Sequence, residues 1–255
     1  MKSNFFIGKN LKLKISKYLA LLLRKFPGLK KTFSRYLISK DTIGCIYDNI
    51  FFPYDKNLMD EKRLIAIASG AMEREEILTS IKYFDQDDII VEFGCGLGIS
   101  SSLIQNKLKT KMFCFDANSK AVSYANKLFK INNLNLTALN IALGDGKKNV
   151  FFVNDDYLLS SFDKPNKKNF NVVNVNTNSL KQIIKKFKPT AILCDIEGAE
   201  KKYFDPTKLA NVKKIVIELH PNVYGKKKLK EIISNFEENN FKLIFKIKQT
   251  YFFKK

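Results

Sequence analysis

Between residues 89 and 219, short apolar runs alternate with stretches in which apolar residues recur every three to four positions. Segments 89–93, 111–115, 136–143, 191–194 and 214–219 have the length and branched aliphatic content of buried strands, and 99–108, 119–131 and 180–187 read as helices between them. This alternation predicts an α/β fold with a mainly parallel sheet covered on both faces. A helical turn at 199–204 and a helix at 229–239 follow, and segments 241–247 and 250–253 predict a closing hairpin that gives the sheet an antiparallel edge.

Upstream, 59–83 is predicted helical with Gly70 as a break, 85–88 is a turn, and 42–58 is an irregular lead-in with one short strand around Phe51-Phe52-Pro53-Tyr54. Leu11, Ile15, Tyr18, Leu19, Leu22 and Phe26 recur at helical spacing, with Pro27-Gly28 as the stop and a second basic piece over 29–39. Segment 150–157 reads as β-rich or irregular, and 163–171, Asp-Lys-Pro-Asn-Lys-Lys-Asn-Phe-Asn, as a surface loop. The expected division is a basic, partly helical extension over 1–58 and one α/β domain over 59–255.

Charge sharpens this division. The chain has a net charge of +20, and residues 1–40 hold eleven basic side chains and no acid. A basic amphipathic helix could lie on an anionic membrane face, pack on its own domain, or meet a second copy of the chain. Only Arg24, Arg35, Arg63 and Arg74 are arginine among 45 basic residues, which disfavours a nucleic-acid reader built on bidentate contacts. No segment reaches the about 18 apolar residues of a membrane span, and no secretory leader is legible. Cys45, Cys95, Cys114 and Cys194 are widely spaced, which predicts reduced thiols and a cytoplasmic setting, peripheral to the inner membrane face if the basic helix binds there.

The candidate chemistry begins at Glu92-Phe93-Gly94-Cys95-Gly96-Leu97-Gly98, a glycine loop between a predicted strand and a predicted helix. Such a loop lies at the carboxyl end of a parallel sheet, where α/β proteins bind ligands. The spacing is G-x-G-x-G; a dinucleotide fingerprint would place its third glycine at 99, where this chain has Ile99. An acid at 92 suits a cationic ligand group and repels pyrophosphate. An adenosyl-sulfonium cofactor therefore fits better than a nicotinamide dinucleotide, with Asp116 after the next strand placed to accept from ribose hydroxyls.

A second group of acids, Asp195-Ile196-Glu197-Gly198-Ala199-Glu200, follows the strand at 191–194, and Ile217-Glu218-Leu219-His220-Pro221 ends the next. Glu197 and Glu200 also suit the positive end of a helix. Strand alternation sends Glu218 and His220 to one side, where His220 is either a base or a cap held by Pro221.

Together, Glu92 to Gly98, Asp116, Asn140-Ile141-Ala142-Leu143-Gly144-Asp145, Asp195 to Glu200 and Ile217 to Pro221 resemble the FkbM methyltransferases, a branch of the class I S-adenosylmethionine enzymes. The resemblance covers about residues 70–245. It implies a Rossmann-like class I fold and methyl transfer to a hydroxyl of a sugar, a glycan precursor or another small natural product. It also implies that Glu92, Gly94, Gly96 and Gly98, with Cys95 between them, shape the methionine side of the cofactor pocket, that Asp116 holds the ribose, that Ala142 lies near the adenine, and that Met72-Glu73 is an acidic pre-motif. Asp195 and then His220 are the expected catalytic residues, with Glu197 organising the acceptor. No motif has metal-ligand spacing, so no metal is expected, although Asp195, Glu197 and Glu218 are the oxygen donors that would hold one. The alternatives are an NAD-linked oxidoreductase, a nucleic-acid methyltransferase and a non-catalytic interaction protein that docks through its basic N-terminus.

Overall fold

A computed structural model describes residues 4–8, 12–15, 42–154 and 170–255. Its described residues fall into two compact units.

The first unit holds the described residues up to Arg74 together with Lys127–Leu134. Its strands β1 (Asn4–Gly8), β2 (Lys12–Ile15), β3 (Thr42–Tyr47) and β4 (Ile50–Pro53) form an antiparallel sheet in the order β2-β1-β3-β4. The lead-in at 42–58 is thus more regular than its sequence suggests. Asp48 and Asn49, both with positive φ, make the two-residue turn between β3 and β4. Residues 12–15, expected to open the N-terminal helix, are a strand instead. Lys-Leu-Lys-Ile alternates with period two as well as it fits a helical face, and pairing with β1 decides between the two. The rest of that expected helix, the basic piece at 29–39 and the loop at 163–169 lie outside the described residues. Helix α1 (Glu61–Ala68) is capped by Asp60, whose side chain accepts the Arg63 N–H, and Gly70 breaks the chain with φ 65° as the sequence predicts. The Asn132 side chain pairs with both backbone groups of Phe51 at 2.7 and 2.8 Å.

The second unit contains Glu75–Asn126 and Asn135–Lys255. In chain order its elements begin with α2 (Arg74–Tyr83), β5 (Ile89–Phe93), α3 (Ile99–Leu108), β6 (Lys111–Asp116) and α4 (Ser119–Ile131). They continue with β7 (Ala138–Asn140), β8 (Ala142–Leu143), β9 (Lys148–Asn154), β10 (Phe170–Asn178), α5 (Leu180–Phe187) and β11 (Ala191–Cys194). Last come α6 (Glu200–Tyr203), β12 (Lys214–Glu218), α7 (Pro221–Glu238), β13 (Lys242–Ile247) and β14 (Thr250–Lys254). A seven-stranded mixed sheet runs β13-β14-β12-β11-β5-β6-β7, parallel from β12 to β7, with β14 antiparallel to both β12 and β13. The parallel core and antiparallel edge match the pattern read from the sequence.

Two details differ. The strand expected over 136–143 is two strands: β7 joins the large sheet, whereas β8 pairs with β10 in a separate three-stranded sheet, β8-β10-β9. Long-range pairing to β10 draws Ala142 and Leu143 away, and a run of apolar residues carries no sign of that partner. The last helix also starts at Pro221, eight residues before its apolar periodicity becomes legible, with Gly225 at φ 85° interrupting it.

The amino ends of three central strands are pinned by one carboxylate. Asp88, just before β5, accepts from Thr190 Oγ1 at 2.7 Å, from Lys214 Nζ at 2.7 Å and from the Asp85 N–H at 2.7 Å. Thr190 precedes β11 and Lys214 opens β12, so their register against β5 is fixed at one point. Burial alone would raise the Asp88 pKa; the Asp85 N–H, Lys214 and Thr190 outweigh it and hold it below the ordinary carboxylate value. A depressed folded pKa stabilises the fold above the unfolded value and loses that contribution as pH falls through the folded value. Asp88→Asn is therefore expected to cost about 2 kcal/mol at pH 7 and to flatten the stability profile below about pH 4, as measured by urea unfolding across pH.

Candidate functional site

The carboxyl ends of β5, β6, β11 and β12 converge on the residues that the sequence singles out. β5 delivers the glycine loop, whose three glycines all have positive φ: 82° at Gly94, 50° at Gly96 and 74° at Gly98. The N–H groups of Gly94 and Cys95 both donate to Phe115 O, at 2.9 and 3.0 Å, and Cys95 is buried. At Gly94 a Cβ would stand 1.6 Å from the carbonyl oxygen of Asp195, so only glycine lets β5 and β11 release their loops side by side. At Gly96 a Cβ would meet no described atom within 4 Å, so the loop's backbone borders open space there. Gly98 then caps α3.

The expected cofactor residues take distinct places. Glu92 is buried, and its carboxylate accepts the hydroxyl of Ser101 from α3. Asp116 uses one oxygen for the Gly96 N–H at 2.8 Å and the other for the Asn118 N–H at 2.7 Å. This side chain shapes the glycine loop, a role that its position after β6 did not disclose. Burial raises its pKa against the effect of those two N–H groups. Ala142 is buried in β8, packed with Val175 and the half-buried Ala117. Glu73 lies in the first unit, in the turn before α2, with φ 48°.

The second group closes around one imidazole. The Asp195 N–H donates to Phe93 O at 2.9 Å, continuing the β11–β5 ladder past the last paired strand residues. Glu197 and Gly198 follow with φ 53° and 97°, and a Cβ on Gly198 would lie 2.7 Å from Val223 in α7. This tight turn brings α6 and its buried Glu200 beneath the end of β12. There Glu200 Oε1 pairs with His220 Nδ1 at 2.7 Å. The other ring nitrogen, Nε2, faces Glu197 Oε2 at 3.5 Å, Asp195 Oδ1 at 3.6 Å and Glu218 Oε1 at 4.0 Å. Tyr224 in α7 accepts the His220 backbone N–H at 2.6 Å, and Gln249 Nε2 donates to Glu218 Oε1 at 3.1 Å.

Four carboxylates around one histidine shift the titration of the group. Burial opposes the imidazolium, but the hydrogen bond and charge of Glu200, aided by Asp195 and Glu197, push the His220 pKa up to about 9. Burial, then Glu197 and Glu218, raise Asp195 well above the ordinary carboxylate range, with His220 pulling the other way. Asp195 Oδ1 is sealed from solvent and accepts no hydrogen bond from the described residues.

Asp195, Glu197, Glu218 and His220 are thus brought together as the sequence suggests. Glu200 and Tyr224 are additions. Glu200 is in the same short motif, but helix-start chemistry explained it equally well from sequence, and its burial against a residue twenty positions later is a tertiary fact.

Residues 101–243 match the methyltransferase FkbM domain. No curated protein matches the chain. Among solved structures, a Pyrococcus horikoshii protein provisionally described as a transferase is similar with a TM-score of 0.50 at 12% identity, over 98% of this chain and 91% of that one. A methyltransferase from Pyrococcus furiosus gives 0.46 at 12% identity over 81% and 89%. A methyltransferase FkbM from Methylobacillus flagellatus gives 0.45 at 14% identity over 78% of this chain and 56% of that one.

Gly94 and Gly96 should respond differently to a single methyl group. Gly94→Ala drives a carbon into the Asp195 carbonyl and is expected to cost about 3 kcal/mol or more, whereas Gly96→Ala costs about 1 kcal/mol for its left-handed backbone alone. Thermal unfolding of the two variants checks this ordering.

Proposed function

This chain belongs to the FkbM methyltransferase family and uses S-adenosylmethionine, and from that premise we propose that it methylates a hydroxyl of a sugar, glycan precursor or similar small molecule at the Asp195–His220 end of the sheet. The observation that carries this reading is the backbone approach of Gly94 to Asp195, which sets the glycine loop and the acidic group against each other. We read the seven-stranded sheet as Rossmann-like and of class I, in line with its strand order and with the loop leaving the central strand β5.

The residues suit the cofactor. The open space above Gly96 leaves room for a ligand against the backbone, and the loop is already stiffened by Asp116. In this reading Gly94, Cys95, Gly96 and Gly98 hold the methionine portion, Glu92 supports them from below, Asp116 serves the ribose, and Ala142 lies on the adenine side. S-adenosylmethionine supplies an electrophilic methyl group on a sulfonium, ready for in-line attack.

The chain's own contribution is to place the acceptor oxygen and take its proton. Asp195, whose side chain is partly exposed at the carboxyl end of β11, is the natural partner of the acceptor hydroxyl. His220, held by Glu200, and Glu197 fix the other side of the acceptor pocket. Holding the two reactants in line supplies much of the rate, since it removes translational and rotational freedom from the barrier. The burial of all four cysteines supports our reading of a reducing, cytoplasmic setting.

Two variants test the assignment. Asp195→Asn should retain S-adenosylmethionine binding and lose roughly a hundredfold or more in turnover, consistent with removal of an acid–base group. Gly96→Ala should instead weaken cofactor binding about tenfold while remaining folded, because the added methyl enters the ligand's space. Labelled-methyl transfer to fractionated extract and calorimetric cofactor titration provide the readouts; undiminished turnover by Asp195→Asn would remove Asp195 from the mechanism.

A further inference from the structure

We propose that Asp195, Glu218 and His220 form a site for a divalent cation of the Mg2+/Mn2+ class, beside the pocket assigned to the acceptor. One oxygen of each carboxylate and one ring nitrogen lie within 4.8 Å of one another. The separations from Nε2, 3.6 Å to Asp195 and 4.0 Å to Glu218, are too long for hydrogen bonds. Both lie between the about 3 Å of adjacent and the about 4.2 Å of opposite ligand atoms around a cation with bonds of about 2.1 Å.

Two observations independent of the acidic composition point the same way. The His220 side chain is only 10% exposed, and Glu200, fully buried, occupies its Nδ1 at 2.7 Å. The Glu200 carboxyl holds Nδ1 and so aims Nε2 at the other carboxylates, where a bound cation would take the place of the Nε2 proton; a carboxylate behind the ring is the arrangement that orients a metal-binding histidine. Asp195 Oδ1, pointed at the same spot, is sealed from solvent without a hydrogen bond from the described residues, which costs free energy unless a cation or a proton meets it. The donor set, mostly carboxylate oxygen with one imidazole and no thiolate, selects hard divalent cations over those that favour sulfur. Glu197 Oε2, 3.5 Å from Nε2, borders the site and adds to its negative charge in a chain that is otherwise strongly basic.

No metal-ligand spacing is legible in the sequence because the three donors come from two strand ends and a helix cap, and Glu200 lies in α6. The inference deepens the functional reading of this site but rests only on the geometry of these four residues. A cation here adds fixed positive charge next to the place assigned to the acceptor oxygen.

The test uses Mn2+ as the probe. The full chain, stripped with chelator, is titrated with Mn2+ and followed by electron paramagnetic resonance, with and without S-adenosylmethionine. One equivalent of bound Mn2+ is expected, displaced by Mg2+ and weakened roughly 10–100-fold by Glu200→Gln, which removes the charge orienting His220. The near-isosteric Asp195→Asn and Glu218→Gln should each abolish stoichiometric binding while their thermal unfolding stays close to that of the parent chain. Absence of stoichiometric binding by the parent chain overturns the proposal, as does binding that survives both ligand substitutions. Displacement of Mn2+ by S-adenosylmethionine also overturns it, because the carboxylates would then serve the cofactor's own cationic group. Bound Mn2+ without methyl transfer would fault the functional reading alone, and methyl transfer without Mn2+ binding would fault this inference alone.

Discussion

The contact between Gly94 and the carbonyl of Asp195 is the constraint around which the site is organised. Two parallel strands leave the sheet side by side, and each must turn immediately into a loop that carries chemistry. Their backbones come so close that a single carbon at residue 94 would overlap a carbonyl oxygen. The Asp195 N–H bond to Phe93 O holds this approach in place. Because the closeness is a property of the backbone, it does not depend on how any surface side chain settles. The glycine loop and the acidic group are therefore parts of one site.

Around that contact, charge is distributed against the trend of the chain. A protein with a net charge of +20 gathers four carboxylates about His220. Burying one of these acids unpaired is costly, and Glu200 offsets that cost in part by pairing Oε1 with His220 Nδ1, while its Oε2 stays buried without a hydrogen bond from the described residues. Asp195 does not avoid it, and its high pKa reflects that unmet demand. Groups held in this state are common where a protein binds a charged ligand or moves a proton.

The opposite ends of the same strands show the contrasting solution. At Asp88 both carboxylate oxygens accept from neighbouring strands or the preceding turn, and the carboxylate is held in its charged form by Lys214 and by backbone and hydroxyl donors. One end of the sheet spends its polar groups on register, and the other keeps them for chemistry. The large apolar core between them, including Phe93, Phe115, Phe236 and Phe253, ties the two ends into one unit.

The sequence alone determined the alternation of strands and helices from residue 89 onward, the antiparallel closing hairpin, the glycine loop with its Ile99 in place of a dinucleotide glycine, and the placement of Asp195 and Glu197 after one strand and of Glu218 and His220 at the end of the next. These features are local: apolar period, turn chemistry and residue spacing are all written within a few positions of one another. The tertiary structure decided the rest. Residues 12–15 are a strand because β1 pairs with them; Ala142 and Leu143 leave the large sheet because β10 draws them away; Asp116 braces Gly96; and Glu200 is buried against His220. Each of these depends on a partner far along the chain, and neither propensity nor period at one position records which distant backbone group or charge will be brought against it.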